Sequence, residues 1–528
     1  MEPIQPTGAT RSMPPPRIVA LIATCVIVGG VLLGGVARFV AGSGAPSPSV
    51  AVVPSASPSS TSDPSDGPTA APSGTPPATP AASHATSTSK PSTAPKLLPV
   101  KGNGRDAGTE IRMAPGPGGG VYVSIPVTTD ARGSGSGSVV ALLDQGGRPR
   151  PGWPIRLSGV DSCDLLLAAS DGSVRVVCFV PNQEEGLNGA VRRAFAFDSG
   201  GLALAGWPVD VGDAFTGRVV GTDLTMIERP YYGDLGPPED FVNLVVIRAG
   251  GRAVRGSEVS FGQCCENTWA VGPNGIAYGT YRRDFETRDS VKTDVIAFDL
   301  AGVQPGWPAT IDGNTSELAF DAHGLAYLVV GWSTERPART VVLDGGAKVH
   351  PSGSADQPIV STGTWNGAGD DYPGPPIVAA DGSAFIVSTE ADRTAVLALD
   401  PNGQARTGWP YRSSLAMQWT GFCGGGDTGC GQARTMPAVG QANVLYLLQA
   451  ASTSGGGSIV AVGTDGRVRA GWPVGLKRAG SAFWSVVGNP AGGVWALAIE
   501  PETHGYSATI LSIASDSTVR FATTVVEP

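Results

Sequence analysis

The sequence predicts an all-β chain whose main domain, residues 97–528, is a β-propeller of eight four-stranded blades. Three observations predict it: a repeated tripeptide, its spacing, and the short strands between its copies. Gly-Trp-Pro occurs five times, and its tryptophans are separated by 54, 100, 102 and 63 residues. A period of about 50 residues built from short strands is typical of propellers. The five tryptophans are Trp153, Trp207, Trp307, Trp409 and Trp472.

Three further copies of the repeat keep the strand and turn but lack the Trp-Pro dipeptide. The two long intervals are about twice the short ones. Each contains one such copy, at residues 244–251 and 340–346. A third copy, at residues 509–516, follows the last tryptophan. Five clear and three degenerate copies predict eight units of about 54 residues each.

The second unit shows four strands in order. Residues 164–169 form its predicted first strand, and Asp171-Gly172 is a hairpin signal. Residues 174–179 and 193–198 are the second and third strands, separated by a polar loop. Residues 202–211 form the fourth strand, which carries Gly-Trp-Pro. Four strands per unit correspond to one propeller blade.

An aspartate ends the third strand of several units, and a glycine follows three residues later. Asp side chains cap such turns, and Gly supplies the positive φ that they need. The tryptophan is then expected to bury its ring between neighbouring blades. Proline is tolerated because the fourth strand is an outer edge strand. The turn aspartates are Asp144, Asp198, Asp299 and Asp400.

The combined pattern Ala-x-Asp-x-x-Gly-x-x-x-x-Gly-Trp-Pro resembles the tryptophan-docking repeat of quinoprotein-type eight-bladed propellers. The resemblance covers residues 97–528. That superfamily contains both pyrroloquinoline-quinone (PQQ) dehydrogenases and non-catalytic scaffold lipoproteins. The resemblance therefore specifies an architecture and leaves the activity open.

The N-terminal region predicts attachment to a membrane. Residues 18–37 carry no charge and are long enough to span a bilayer, so residues 18–41 are expected to form a transmembrane signal anchor. Arg11 and Arg17 favour a cytoplasmic location for residues 1–17. The alternative is a signal peptide cleaved near residues 43–45, although the apolar run exceeds the usual length of its apolar core.

A low-complexity segment follows at residues 42–96, composed almost entirely of Ser, Pro, Thr, Ala and Gly. Such a segment buries too little apolar surface to fold, and it predicts a disordered stalk that holds the propeller off the membrane. Arginine outnumbers lysine 30 to 6, which indicates a GC-rich bacterial genome.

The charge of the chain argues against nucleic acid as a partner. Residues 1–96 carry five of the 36 basic and three of the 45 acidic side chains, which leaves the propeller with a net charge of −11. A duplex-binding domain would show a basic stripe, and none is present. The acidic balance favours a neutral glycan or a basic protein surface as ligand.

Six cysteines lie in the exported part, and an even number outside the cytoplasm favours disulfides. Cys163 and Cys178 lie on the two strands of one hairpin and are expected to pair. Cys423 and Cys430 would close a small loop. The adjacent pair Cys264-Cys265 forms a vicinal disulfide or bonds to separate partners, and some quinoprotein alcohol dehydrogenases carry a vicinal disulfide beside the quinone.

No catalytic or metal-binding motif stands out. The chain contains only four histidines, and no calcium loop, zinc-protease motif, phosphate-binding loop or nucleophile elbow is present. The calcium ligands and catalytic Asp of PQQ dehydrogenases cannot be placed on this sequence. We therefore expect no resident cofactor, and PQQ with calcium only under the oxidoreductase alternative.

Three long loops are predicted to share one face of the disc, because each follows a second or a fourth strand. They span residues 229–241, 363–376 and 419–435. Long, aromatic loops on a rigid scaffold are common sites of binding. The candidate binding residues are Tyr231, Tyr232, Trp365, Asp371, Tyr372 and Trp419.

Two functions follow as hypotheses. The first is a membrane-tethered, extracytoplasmic propeller that binds a protein or glycan of the cell envelope without catalysis. The second is a PQQ-dependent quinoprotein oxidoreductase. A visible quinone chromophore separates the two.

Overall fold

A computed structural model describes the chain from residue 100 to residue 527 with internal gaps. The residues left out are 1–99, 102–110, 129–135, 181–190, 230–240, 261–267, 284–290, 332–338, 352–375, 391–392, 403, 416, 418–436, 450–455, 504 and 528. The predicted anchor (18–41) and stalk (42–96) thus lie outside the described residues. No helix among the residues that are described is long and apolar enough to cross a membrane.

The described strands form eight separate sheets, which confirms the eight-bladed propeller. Blade 1 contains β2 (Arg112–Pro115), β3 (Val121–Thr128), β4 (Ser136–Leu143) and β5 (Ile155–Ser158), and blade 2 contains β6 (Cys163–Ala168), β7 (Val174–Val180), β8 (Val191–Phe197) and β9 (Val209–Asp210). Blade 3 contains β10 (Asp213–Val220), β11 (Asp223–Arg229), β12 (Phe241–Ile247), β13 (Ala253–Arg255) and β14 (Val259–Ser260). Blade 4 contains β15 (Thr268–Val271), β16 (Ala277–Arg283), β17 (Lys292–Asp299), β18 (Gly302–Val303) and β19 (Ala309–Asp312).

The last four blades follow in chain order, and blade 8 also takes the first strand of the domain, β1 (Val100–Lys101). Blade 5 contains β20 (Asn314–Thr315), β21 (Ala319–Phe320), β22 (Ala326–Gly331), β23 (Arg339–Leu343) and β24 (Val349–Pro351). Blade 6 contains β25 (Ile377–Val378), β26 (Ala384–Glu390), β27 (Arg393–Leu399) and β28 (Tyr411–Ser413), and blade 7 contains β29 (Ala438–Val439), β30 (Leu445–Gln449), β31 (Ser458–Val462) and β32 (Val474–Gly475). Blade 8 contains β33 (Ala482–Gly488), β34 (Val494–Glu502), β35 (Gly505–Ile513) and β36 (Val519–Glu527).

Apart from β1 in blade 8, neighbouring strands within each blade are antiparallel and follow chain order from the propeller axis outwards. The first strands of successive blades contact one another, which places them around the axis. In blades 3 and 4 the outer strand consists of two short pieces, and in blade 5 the innermost strand does. Each blade is thus a four-stranded sheet with small interruptions.

The ring closes where blade 8 packs on blade 1. Strand β1 pairs in parallel with the outer strand β36, Val100 opposite Val526. The indole Nε1–H of Trp495 in blade 8 donates to the carbonyl oxygen of Gly119 in blade 1 at 3.1 Å. Phe521 packs beside Trp495 against Ile111, so both ends of the propeller share one apolar cluster.

The core consists of seams between blades, because middle strands bury both faces. Along β3, Val121 and Val123 pack towards blade 8, whereas Tyr122 packs towards blade 2. Side chains alternate between the two faces of a strand, so a middle strand of a propeller is apolar at nearly every position.

Each Gly-Trp-Pro tryptophan joins its blade to the next one. Its indole Nε1–H donates to a carbonyl oxygen in the turn between the third and fourth strands of the following blade. These bonds run from Trp153 to Ser199 (3.1 Å), Trp207 to Ala249 (2.9 Å), Trp307 to Gly345 (3.2 Å), Trp409 to Thr464 (3.1 Å) and Trp472 to Ser515 (3.3 Å).

The second residue of the second strand contacts the tryptophan of the same blade. In four blades this residue is aromatic, and its ring centroid lies 5.4 to 5.6 Å from that of the indole. In blade 2 it is Arg175, whose guanidinium lies 5.4 Å from the Trp207 centroid. The aromatic partners are Tyr122, Tyr278, Phe385 and Tyr446.

The tripeptide itself lies in a break of the outer strand rather than within it. In blade 2, Ala203 forms an isolated bridge to Phe197, and β9 starts only at Val209. The backbone N–H of Trp207 instead donates to the carbonyl oxygen of Leu204 at 3.2 Å. All five Trp–Pro peptide bonds are cis.

A degenerate copy in blade 3 keeps the connection to the next blade by other means. The backbone N–H of Ser257 donates to the carbonyl oxygen of Leu300 at 3.2 Å. Leu300 holds the turn position that accepts the indole elsewhere. In blade 8, Phe521 instead packs against Gly147 of the blade 1 turn, where any side chain would collide with its ring.

The predicted disulfide between Cys163 and Cys178 is confirmed, and it joins directly opposite residues of β6 and β7. It closes a loop of 15 residues. We expect the double variant Cys163→Ala/Cys178→Ala to lose about 2–4 kcal/mol of unfolding free energy in urea denaturation. Reduced wild-type protein should show a similar loss, whereas an unchanged urea midpoint for the variant would contradict a stabilising role.

Candidate functional site

The two faces of the disc differ in their connections. On the turn face, which holds the connections between strands one and two and between strands three and four, short turns are capped by aspartates. Asp198, for example, accepts the backbone N–H groups of Gly200 and Leu202, each at 2.9 Å. On the opposite face, here the loop face, second strands connect to third strands and blades connect to each other.

The longest connections all open on the loop face. Twenty-five residues separate Pro351 from Ile377, and 24 separate Ser413 from Ala438. The strands that flank the three predicted binding loops end on this face. Apart from the end residues 229, 241 and 376, the three loops lie outside the described residues, so their binding role stays a prediction. They hold Tyr231, Tyr232, Trp365, Asp371, Tyr372, Trp419 and the Cys423/Cys430 pair. Cys264-Cys265, in the connection between blades 3 and 4, also lies outside the described residues.

Three innermost strands contain a β-bulge close to the loop face. The pairing register skips one residue in each: Asp164 in β6, Phe215 in β10 and Trp484 in β33. A bulge redirects the side chain of the extra residue, and bulges are frequent beside functional sites. The structure thus redirects an acid and two aromatic rings at the same end of the propeller axis.

An ion-pair network surrounds the first of these bulges. Arg192 of β8 is buried and donates from Nε to Oδ2 of Asp164 at 3.0 Å, and from Nη1 to Oδ1 of Asp213 in blade 3. Its guanidinium also lies 4.2 Å from the centroid of the Phe179 ring. Arg112 of blade 1 donates from Nε to the carbonyl oxygen of Asp164 at 3.1 Å.

Burial raises the pKa of Asp164, although the neighbouring Arg192 lowers it. Desolvation therefore outweighs the charge partner at this carboxyl group. Asp213 is more accessible, with 35% of its side chain exposed. The network thus offers one accessible carboxylate on the axial side, held in place by a buried guanidinium.

Aromatic side chains continue this cluster into blades 3 and 4. The guanidinium of Arg229 lies 4.9 Å from the centroid of Phe215, and the Phe215 and Trp269 rings meet edge to face at 6.3 Å. Trp269 lies across from Gly279, where any side chain would collide with the indole. The axial cluster, as we call it, comprises Arg112, Asp164, Arg192, Asp213, Phe215, Arg229 and Trp269.

Blade 3 contains a second ion pair, next to the axial cluster. Arg255 binds Glu228 through two hydrogen bonds, from Nε at 2.8 Å and from Nη2 at 3.3 Å. Gly212, at φ 55°, packs against the Glu228 carboxylate and leaves no room for a side chain. The chain enters blade 3 through this glycine, immediately before Asp213.

The axial cluster can bind a ligand through charges, hydrogen bonds and rings. Among the described residues, no group of three or more His, Cys, Asp or Glu side chains could hold a metal ion. Sequence reasoning missed the cluster because its members come from four blades. The available signal was a charged residue at an inward-facing position of a strand, such as Arg192 beside the more exposed Arg193 in β8.

No protein-family model matches the chain, and no curated protein matches it. Among solved structures it is similar to Porphyromonas gingivalis dipeptidyl peptidase 4, with a TM-score of 0.47 and 10% identity over 79% of this chain and 60% of that one. It is also similar to Pseudomonas aeruginosa periplasmic gluconolactonase, with a TM-score of 0.40 and 17% identity over 70% and 97%. The chain spans less than two thirds of the peptidase, and these similarities concern the fold alone.

Proposed function

We propose that this propeller binds a protein or glycan of the cell envelope through its loop face, without catalysis. The proposal is carried by the axial cluster, together with the three bulges that redirect Asp164, Phe215 and Trp484 at one end of the axis. Binding sites in ring-shaped folds need a rigid wall with a few placed polar groups. The turn face offers short capped turns instead.

The alternative is a PQQ-dependent quinoprotein oxidoreductase, with calcium beside the quinone. In the part of the chain that the structure describes, the two carboxylates of the axial cluster do not fit calcium. Arg192 engages both Asp164 and Asp213, and no third acid joins them. The alternative draws its support from the repeat resemblance, and Cys264-Cys265 lies outside the described residues.

Binding can be measured with the full-length protein in detergent, by cosedimentation with insoluble cell-wall material. We expect Arg229→Ala to reduce the bound fraction about tenfold, because a charge-assisted contact contributes about 1.5–3 kcal/mol. Arg252→Ala, an exposed turn-face change, is the matched control and should bind like wild type.

The same binding assay on treated cell-wall material identifies the class of ligand, and a separate assay with PQQ tests the oxidoreductase alternative. Cell-wall material stripped of protein by protease should retain binding if the ligand is a glycan and lose it if the ligand is a protein. Equal binding by Arg229→Ala and wild type would contradict the role of the loop face. A quinone absorbance band after addition of PQQ and calcium, with alcohol oxidation, would favour the oxidoreductase.

The membrane anchor is a separate proposal that rests on residues 18–41. A reporter enzyme that is active only outside the cytoplasm, fused after Pro528, should be active. The protein should remain with membranes after a high-salt wash, because a transmembrane helix is held by apolar burial rather than by charge. Recovery of a soluble form that begins near residues 43–45 would favour the cleaved signal peptide.

A further inference from the structure

The innermost strands of blades 3 and 4, β10 and β15, form a wall that carries Arg218, and the neighbouring strand β11 adds Arg229, whose guanidinium lies beside the ring of Phe215. On β10, Val219 packs into the apolar cluster shared with blade 2, whereas Val220 faces Gly275 of blade 4. Side chains alternate along a strand, so Arg218 lies on the same side as Val220. It therefore lies in the wall towards blade 4, on the strand that also carries Phe215.

The charge of Arg218 is not balanced by any described residue. Its side chain is partly buried, and no hydrogen bond or ion pair joins it to the residues that the structure describes. Burial alone lowers the pKa of its guanidinium. Desolvating a cation without a partner is costly, so such a group commonly marks a place where a ligand supplies the partner.

Arg229 adds a second cation at the loop-face end of the same strand pair. Within the described ranges it meets the ring of Phe215 but forms no ion pair with a carboxylate. Three other arginines of blades 2 and 3 are matched to acids: Arg193 to Asp210, Arg248 to Asp223 and Arg255 to Glu228. Among the described residues, the wall thus adds the two cations Arg218 and Arg229, which have no ion pair, to the Asp213 carboxylate that Arg192 already binds.

We propose that this wall binds an acidic glycan, whose carboxylate or phosphate group pairs with Arg218 and whose sugar rings lie along Phe215 and Trp269. The inference rests on the proposed binding function and specifies its ligand. Guanidinium groups bind carboxylate and phosphate with paired hydrogen bonds. The negative charge of the whole chain favours a neutral glycan or a basic protein, but Arg218 and Arg229 have no carboxylate partner among the described residues and can pair with an acidic ligand.

A wall made from two innermost strands and the end of β11 favours a glycan chain over a protein surface. Protein partners bury broad, flat areas of about 800 Å² on each side. The rings and cations here instead follow the axis, from Arg229 at the loop face to Arg218 deeper along β10, with β15 beside them. An extended polymer can follow that line with successive units.

The test is isothermal titration of the full-length protein in detergent with tetragalacturonate, glycerol 3-phosphate and maltotetraose as probes. Arg218→Met removes the charge but keeps an apolar stem, and Arg156→Met on the exposed outer strand of blade 1 is the matched control. We expect one anionic probe to bind wild type and the control, and to bind Arg218→Met at least about tenfold more weakly.

The probes separate the outcomes. Tetragalacturonate binding that depends on Arg218 identifies carboxylate as the source of the negative charge, and glycerol 3-phosphate binding identifies phosphate. Maltotetraose binding that Arg218→Met leaves unchanged would overturn the acidic site and leave a glycan-binding function standing. If no probe binds while protease-sensitive binding to cell-wall material persists, the ligand is a protein and the glycan assignment fails. Circular dichroism of each variant establishes that it is folded.

Discussion

Replacing Trp307 with alanine is expected to lower the free energy of unfolding by about 3–5 kcal/mol. The side chain is 8% exposed and packs in one apolar cluster with Val295 of blade 4 and Leu343 of blade 5. Its indole donates to the carbonyl oxygen of Gly345 at 3.2 Å, and its ring lies 5.6 Å from that of Tyr278. Alanine would leave a cavity between two blades and an unpaired carbonyl.

Urea denaturation of Trp307→Phe separates the contribution of the hydrogen bond from that of the buried ring, and Leu202→Ala serves as the control. Trp307→Phe keeps most of the ring and removes the donor, so it should cost less than alanine, about 1–2 kcal/mol. Leu202→Ala changes a side chain that is 71% exposed and should stay within about 0.5 kcal/mol of wild type. A loss below about 1 kcal/mol for Trp307→Ala would show that the seam does not depend on this residue.

The architecture could be predicted because a propeller repeats one local unit. The five tryptophans do the same task in five blades, so the sequence displays their spacing directly. Degenerate copies were recognisable by their turns. Blade 3 shows why erosion is tolerated there: the backbone of Ser257 supplies the donor that an indole supplies elsewhere.

The way the ring closes could not be predicted from the sequence, because it depends on contacts between the two ends of the domain. Trp495 and Gly119 are 376 residues apart, and no local pattern relates them. The two residues of β1 were equally hidden, since parallel pairing of so short a strand has no periodicity to detect.

The axial cluster was missed for a different reason. Composition drew attention to long, aromatic loops, whereas the cluster is built from charged and aromatic residues on strands of four different blades. Asp164 is placed by a bulge, and a bulge is defined by the pairing of two strands rather than by one segment. Only the structure shows that Arg192 reaches acids from two blades.

Removal of the Arg192 guanidinium should be among the most damaging changes in this molecule. Its side chain is 4% exposed and bridges Asp164 and Asp213, so Arg192→Met leaves two carboxylates without their cation at a blade seam. Breaking a buried ion pair by removing one partner costs about 3–5 kcal/mol. Arg193→Met is the matched control, because that neighbouring arginine is 38% exposed in its pair with Asp210 and should cost about 1 kcal/mol or less.

The cost of Arg192→Met should depend on pH in one direction. Asp164 already has a raised pKa in the folded protein because of burial, and losing Arg192 raises it further. A carboxyl whose pKa is higher in the folded state than in the unfolded state takes up a proton on folding, so its ionisation reduces stability as pH rises above about 4. Urea denaturation at about pH 4.5 and about pH 7.5 should therefore show a larger loss at the higher pH. An equal loss at both pH values, or a cost no greater than that of Arg193→Met, would mean that the buried pair of Arg192 with Asp164 in blade 2 does not stabilise the fold.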